Sequence, residues 1–187
     1  SVDSTWTQVY SGGVADGGYT VMDSAGVLRC RGQMQDTLRV GRWEWYDAAG
    51  RPQRKGAYRD GAPHGDWTWW DSTGVVLRKG TYRNGRRDGG WWVRNADGTF
   101  WNGRCEDDVR VGEWTLWSAD SLRMAAGTLR DTLRVGFWTQ WLPDGCVATG
   151  PYVNGLRQGA WEIRAADGSL AAAGHYEQNE RDGLWRE

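Results

Sequence analysis

Residues 80–91 have the sequence Gly-Thr-Tyr-Arg-Asn-Gly-Arg-Arg-Asp-Gly-Gly-Trp, and variants of this stretch return through most of the chain. The last residue belongs to a series of aromatic residues spaced 23 or 24 apart: Tyr19, Trp43, Trp67, Trp91, Trp114, Trp138, Trp161 and Trp185. A fixed period of this size indicates a repeat protein, in which each period is one supersecondary unit that stacks on its neighbours.

Each period carries two turn signals. Asn84-Gly85 is a strong hairpin-turn pair because both residues accept a positive φ, and Asp97-Gly98 marks a second turn. Two turns leave two short strands per period, so consecutive strands run antiparallel. No segment sustains the apolar spacing of a helix. We therefore expect an all-β protein: an elongated single-layer antiparallel sheet of tandem β-hairpin repeats, open rather than closed into a barrel.

The period is not constant along the chain. The units that begin at Trp91 and Trp138 have 23 residues, because they lack one residue between the turn glycine and the strand glycine. A one-residue change would move every later side chain to the other face of the sheet. Since the phase is kept, we expect a bulge or a looser turn to absorb the additional residue of the longer units.

The unbroken phase favours a single repeat domain over residues 1–187. Within it we interpret residues 1–16 as an N-terminal cap or partial repeat, residues 17–182 as seven tandem repeats, and residues 183–187 as a truncated last repeat. The chain stops inside a first strand, and an open strand edge is a potential pairing site for a second copy or another protein.

These residues resemble the MORN repeat, in the bacterial variant form of antitoxin-like repeat proteins. Residues 80–91 are similar to its Y-x-x-G-x-x-x-G-x-W/G pattern, and residues 95–103 to the D-G-x-x-Y-x-G that follows; the resemblance covers residues 10–187. The departures are Met34, Cys105 and Leu129 at the second-strand Tyr, and Thr37, Asp108, Thr132 and Asn179 at the turn Gly. The resemblance implies this fold and a scaffold or binding surface, including an antitoxin or immunity role, but no single function.

The balance of charge excludes two kinds of partner. The 23 basic and 24 acidic residues nearly cancel, which argues against a nucleic-acid binder and a polybasic membrane binder. No stretch of about 18 apolar residues predicts a transmembrane segment. Cys30, Cys105 and Cys146 fall in different repeats, so we expect free thiols. Ser1 follows either a removed signal peptide or an arbitrary start, and we favour a periplasmic, cell-envelope or secreted location over a cytoplasmic one.

Alternation along the first strands assigns the aromatic residues to two faces. One face takes the Trp43 column and the residues two further on, such as Trp45 and Trp69, and is the better candidate for a stacked core. The other mixes polar residues, aromatic rings and arginines. On that face we predict a binding surface made of Tyr46, Trp70, Trp92, Arg94, Trp117, Trp141 and Arg164.

No catalytic site can be assembled from this pattern. His64 and His175 are more than four repeats apart, no cysteine pair has zinc spacing, and most acidic residues sit in turns. We expect no enzyme activity, no cofactor and no metal site.

The sequence therefore favours a non-catalytic protein-interaction or scaffold module within a larger assembly. It would bind protein partners, or a second copy, through a sheet face or the C-terminal edge strand. The alternative is a carbohydrate or cell-envelope ligand module, because exposed tryptophans can hold sugars or quaternary ammonium groups. A second alternative is an antitoxin or immunity protein.

Overall fold

The computed structural model describes residues 4–11 and 13–187, and these residues form 17 β-strands and no helix. The strands are β1 (Ser4–Ser11), β2 (Val14–Asp23), β3 (Leu28–Gln35), β4 (Leu38–Tyr46), β5 (Pro52–Arg59), β6 (Ala62–Trp70), β7 (Val76–Arg83), β8 (Arg86–Arg94), β9 (Phe100–Glu106), β10 (Val109–Trp117), β11 (Arg123–Arg130), β12 (Leu133–Trp141), β13 (Val147–Val153), β14 (Leu156–Arg157), β15 (Gly159–Arg164), β16 (Leu170–Glu177) and β17 (Glu180–Arg186). They are antiparallel and follow one another as hairpins in one open sheet, which confirms the predicted fold class.

The contacts between residues divide the chain into two compact units. The first unit contains residues 1–93 and 106–108, and the second contains residues 94–105 and 109–187. The interpretation as a single repeat domain stays a prediction. The predicted N-terminal cap includes residues 1–3 and 12, which lie outside the described residues; β1, which follows them, pairs with β2.

The predicted Asn-Gly turn forms and ties neighbouring hairpins together. Asn84 and Gly85 have φ angles of 49° and 86°, and Arg83 pairs with Arg86 across the turn. The Gly85 amide donates a hydrogen bond of 2.8 Å to the carbonyl of Pro63, one hairpin earlier. Where the turn glycine is replaced, Thr37 adopts a φ of 69° and keeps the hairpin between β3 and β4.

The second turn depends on a carboxylate. Asp71 Oδ1 accepts hydrogen bonds from the amides of Thr73 and Val75 and from the Thr73 hydroxyl group. These bonds, that of the Thr73 hydroxyl first, hold the pKa of Asp71 below its ordinary value. Asp47 accepts the same pair of amide bonds, from Ala49 and Arg51. Asp97 and Asp167 stand two positions later in their turns and each accept from the amide and the hydroxyl group two residues on, so these residues have the local turn role that the sequence suggests.

A bulge accounts for the two period lengths. In the 24-residue repeats the strand pairing shifts by one residue just before the aspartate turn. For example, Trp69 pairs with Arg78, but the next residue, Trp70, pairs with Val76. In the 23-residue unit that begins at Trp138, β12 and β13 pair without a shift from Gly136 to Trp141. The prediction that a bulge absorbs the additional residue is therefore confirmed.

The repeated tryptophans form the core because each indole lies flat against a glycine of the preceding strand. A Cβ placed on Gly150 would lie 2.3 Å from the ring of Trp161, closer than any side chain could pack. The indole Nε1 then donates a hydrogen bond to the carbonyl ten residues earlier, Pro151 in this case, at 3.2 Å. The glycine found 11 residues before each tryptophan thus provides space for the ring, and Trp161 is 1% exposed.

Candidate functional site

We call the side of the sheet that carries the repeated tryptophans the tryptophan face, and the other side the reverse face. In the first unit, Trp43, Trp67 and Trp91 alternate with Tyr58 and Tyr82 in edge-to-face contacts, with ring centroids 5.2–6.1 Å apart. In the second unit the corresponding series from Trp138 to Trp185 has centroids 5.1–6.0 Å apart. These series fill the core of both units, as the periodicity predicts.

Arginines cover the buried tryptophans on this face, which the sequence reasoning did not anticipate. In nearly every repeat an arginine stands four residues before the tryptophan and places its guanidinium over that ring. In the second unit, Arg134 Cζ lies 4.7 Å from the ring centroid of Trp138 and Arg157 Cζ 4.9 Å from that of Trp161. The signal was present as an Arg series in phase with the Trp series.

Of the predicted binding residues, Tyr46, Trp70 and Trp92 belong to the reverse face of the first unit, and all three are half-buried. The Tyr46 hydroxyl group donates a hydrogen bond of 2.8 Å to Glu44. Burial raises the pKa of Tyr46, and this hydrogen bond lowers the pKa of Glu44. On this face, a carboxylate therefore lies beside the partly buried ring of Tyr46.

Lysines, not arginines, accompany the two tryptophans in this region. Lys55 Nζ lies 5.3 Å from the ring centroid of Trp70, and Lys79 Nζ lies 5.9 Å from that of Trp92. These two are the only lysines of the chain, and both lie on this face. The arrangement gives the first unit an aromatic surface with a mobile positive charge over each ring.

The remaining predicted residues, Arg94, Trp117, Trp141 and Arg164, belong to the second unit. Trp117 is held from two sides, because Phe100 stacks on it with centroids 6.2 Å apart and its Nε1 donates to Asn102 Oδ1 at 2.6 Å. The cation between Trp117 and Trp141 is Arg123, whose Cζ lies 5.5 and 5.7 Å from the two centroids. Arg164, predicted on the same face, donates to Glu162 and to the carbonyl of Gly168.

An apolar patch on the reverse face of the second unit escaped the sequence reasoning. Phe137 is 76% exposed, Val153 54%, Leu133 48% and Leu156 40%. Strand pairing brings these residues together, since Phe137 pairs with Pro151 and Val153 with Leu156. Leu133 reaches the turn between Val153 and Leu156, because a Cβ on Gly155 would lie 3.3 Å from it. We call this group, with Pro151, the Phe137 patch.

On the tryptophan face of the first unit, two tryptophans that we expected in the core lie in a partly exposed row with two arginines. Trp45 and Trp69 are half-buried, and Arg54 pairs with both across the neighbouring strands. Arg54 Cζ lies 4.3 Å from the centroid of Trp45, and Arg78 Cζ lies 4.3 Å from that of Trp69. We call these four residues the Trp–Arg row.

An open depression of about 380 Å³ lies on the reverse face of the first unit. Thr20, Arg31, Gln33, Arg42 and Glu44 contribute to its walls. Both arginines are within ion-pair distance of Glu44, at 2.5 Å for Arg31 and 3.8 Å for Arg42. Glu44 therefore offsets the charge of only one of the two arginines, and these three side chains together keep a net positive charge.

Within residues 4–11 and 13–187, no group of His, Cys, Asp and Glu side chains is arranged to hold a metal ion. Cys30, Cys105 and Cys146 are free thiols. Burial raises the pKa values of Cys30 and Cys146, which makes these thiols poorer nucleophiles. The described part of the chain also contains no helix able to span a membrane.

Comparison with known proteins identifies one repeat. The family model described as MORN repeat variant matches residues 63–84, which cover most of β6, all of β7 and the start of the following turn. No curated protein matches the chain significantly. MORN repeats are generally non-catalytic modules that interact with proteins or lipids. The segment 63–84 is therefore similar to a MORN repeat, and the same hairpin recurs along the rest of the chain.

Proposed function

We propose that this protein is a non-catalytic interaction module that binds a partner protein as a subunit of a larger assembly. The observation that carries the proposal is the Phe137 patch, where a 76% exposed phenylalanine lies among three other exposed apolar side chains. Contiguous apolar patches on soluble proteins usually mark a binding surface, because covering them removes apolar area from water.

The predicted aromatic residues extend this surface on the same face of the second unit. Trp141 follows Phe137 along β12, separated from it by the small side chain of Thr139, and Arg123 lies against the rings of both Trp141 and Trp117. In the first unit, Tyr46, Trp70 and Trp92 provide a second aromatic region with lysines above the rings. We propose that Arg94 and Arg164 contribute polar contacts at the rim, as is usual around an apolar interface centre.

The proposal is tested by capture of partners from the source organism, with soluble and envelope fractions read by mass spectrometry. We expect a stoichiometric protein partner with the wild type and its loss with Phe137→Asp. Leu77→Asp is the matched control, since Leu77 is an exposed apolar residue of the first unit, at 41% exposure. Equal capture by the Phe137→Asp variant would refute the assigned surface. Recovery of glycans alone would favour a carbohydrate-binding module instead.

The aromatic residues give an independent test. Trp117→Ala and Trp70→Ala should weaken partner binding more than they weaken folding, because both rings are half-buried at the surface. Isothermal titration with the captured partner and thermal melts by circular dichroism measure the two effects. A loss of stability without a loss of affinity would mean that these rings serve only the sheet. If the partner is a toxin, masking of its activity by the wild type would identify an antitoxin or immunity role.

A further inference from the structure

The Trp–Arg row alternates rings and cations across consecutive strands of the first unit. Trp45 on β4 pairs with Arg54 on β5, Arg54 with Trp69 on β6, and Trp69 with Arg78 on β7. All four side chains therefore share the tryptophan face, next to the buried series of Trp43, Trp67 and Trp91. An indole stacks on one side of each guanidinium at 4.3 Å, which fixes the plane of the cation.

The two arginines of the row lack acidic partners. Arg54 and Arg78 are exposed, and neither forms an ion pair with any residue that the structure describes. Arg39, further along the same face, lies 4.8 Å from the centroid of Trp43 and donates to the Tyr58 hydroxyl group at 3.4 Å, whereas Arg87 on β8 pairs with Asp108. A stacked guanidinium keeps its N–H groups at the edge of its plane, available to a carboxylate.

The acidic residues of these strands lie on the reverse face. Between Leu28 and Arg94, the strands contain three acidic residues: Glu44, Asp66 and Asp88. Glu44 bonds to Arg31, Asp66 accepts a hydrogen bond from Thr81, and Asp88 pairs with Arg83. Arg87 on β8 is paired with Asp108, but around the row the strands β4–β7 place only positive charge on the tryptophan face, and its complement is an acidic partner.

The spacing of the row indicates the conformation of that partner. Arg54 and Arg78 lie two strands apart, which corresponds to about 10 Å at the usual strand separation. A polyproline II helix advances about 9.3 Å in three residues and returns each third side chain to the same side. An extended β-strand would place residues three apart on opposite sides. Grooves lined by aromatic rings are also the usual docking sites for polyproline II segments.

We propose that the Trp–Arg row binds a proline-rich acidic segment of a partner protein in the polyproline II conformation, with a carboxylate at every third position. The carboxylates pair with Arg54 and Arg78, and the prolines between them pack on Trp45 and Trp69. This inference rests on the proposed function, since it names the chemistry of one partner segment. It uses a different surface from the Phe137 patch.

The test uses a fluorescein-labelled peptide of four Glu-Pro-Pro triplets and measures fluorescence anisotropy with the whole protein. We expect saturable binding that weakens with salt. A peptide with glutamine in place of glutamate should not bind. A peptide of the same composition with its four glutamates at every second position should bind more weakly, because no two of them are then three residues apart and only one arginine can be satisfied at a time. Equal binding of either control peptide would overturn the proposal.

Variants of the row complete the test. Arg54→Gln and Arg78→Gln should each weaken binding about fivefold, the effect of one well-placed exposed ion pair. Arg59→Gln is the matched control, because Arg59 is an exposed residue of β5 with the alternate orientation. Circular dichroism melts identify any variant that fails to fold; Arg54→Lys, which keeps the charge, should then retain more affinity than Arg54→Gln. Equal affinity of wild type and both glutamine variants would overturn the assignment.

Three further outcomes show whether this inference, the proposed function or both fail. If no peptide binds while partner capture still depends on Phe137, the inference fails and the proposed function stands. If the protein instead binds phosphatidylserine vesicles through Arg54 and Arg78 and ignores the peptide, the row recognises a lipid surface and the inference is overturned. Loss of both peptide binding and partner capture in the wild type would overturn the two proposals together.

Discussion

The two units place different side chains at equivalent positions of the tryptophan face. In the first unit, the tryptophans of the Trp–Arg row stand two residues after a repeated tryptophan, and its arginines stand 13 residues before the next one. The second unit has uncharged residues at the corresponding positions, most of them small or aliphatic: Trp101, Leu116, Ala125, Gln140, Ala148, Ile163 and Ala172. The same hairpin frame thus supports a cationic aromatic row in one unit and a closely packed uncharged row in the other.

On the reverse face, the second unit carries the apolar residues and the first unit the charged ones. The positions of Phe137, Pro151, Val153 and Leu156 in the second unit are occupied in the first unit by Asp66, Thr81, Arg83 and Arg86. The hairpins of β6–β8 therefore expose charge where those of β12–β14 expose apolar surface. The comparison shows that the repeated tryptophan, its glycines and the turn residues are kept, whereas these surface positions vary from one hairpin to the next.

The largest expected effect concerns what the two units share. Trp91→Ala in the first unit and Trp138→Ala in the second should each lower the free energy of unfolding by about 3–5 kcal/mol, because each removes a buried ring and leaves a cavity. The two rings are 5% and 1% exposed. Urea unfolding followed by circular dichroism measures both values. A loss below about 1 kcal/mol in either unit would mean that its frame does not depend on the tryptophan.

A smaller effect should distinguish the two rows. Gln140 is 8% exposed; its Nε2 donates to the Tyr152 hydroxyl group at 2.7 Å, and its Oε1 accepts from Arg157 at 2.9 Å. Gln140→Leu should cost about 1–3 kcal/mol, since it leaves buried polar groups with fewer partners. Arg78→Ala, in the exposed row of the first unit, should cost less than about 1 kcal/mol. Equal losses would show that both rows stabilise the sheet in the same way.

The turn carboxylates, present in both units, should give a pH dependence common to the two. Hydrogen bonds from Thr73 and Ser169 lower the pKa values of Asp71 in the first unit and Asp167 in the second. Their contribution to stability is present above the pKa of the unfolded chain and is lost as the pH falls through the lower folded value. The melting temperature should therefore fall with acidification below about pH 5. Asp71→Asn and Asp167→Asn should each make this fall smaller; no change in either variant would contradict the turn role.

Most of the frame could be predicted from the sequence because it depends on local rules. Asn84-Gly85 requires two positive φ angles, and the 23- and 24-residue periods require a bulge in the longer units. Both features appear as expected. The role of Gly150 cannot be deduced from its position in the repeat. Its close contact with Trp161 depends on the direction in which the indole lies across the strands.

The candidate surfaces were harder to predict because they depend on exposure. Alternation assigned Trp45 and Trp69 to the core face, but a single-layer sheet has no second layer to cover the edge of that face. Arg54 was not connected with them because the pairing register was unknown. Phe137 was overlooked because it stands in a bulge next to the repeated Trp138, where a strict alternation of faces gives no guide.

The smallest expected effect on stability tests the division of roles most directly. Phe137→Asp gives the second unit the residue that the first unit has at this position, Asp66. Since Phe137 is 76% exposed, the free energy of unfolding should change by less than about 0.5 kcal/mol, whereas fluorescence of a bound hydrophobic dye such as anilinonaphthalene sulfonate should fall. The reciprocal Asp66→Phe should raise dye binding.

A loss above about 1 kcal/mol in Phe137→Asp would mean that the ring packs within the unit and is part of the frame. An unchanged stability with reduced dye binding would place Phe137 outside the frame, as the comparison requires. Because the sheet gains nothing from exposing this ring, its presence is then explained only by a surface that covers it. The same reasoning applies to Arg54 and Arg78, whose charges the first unit leaves without acidic partners on their own face.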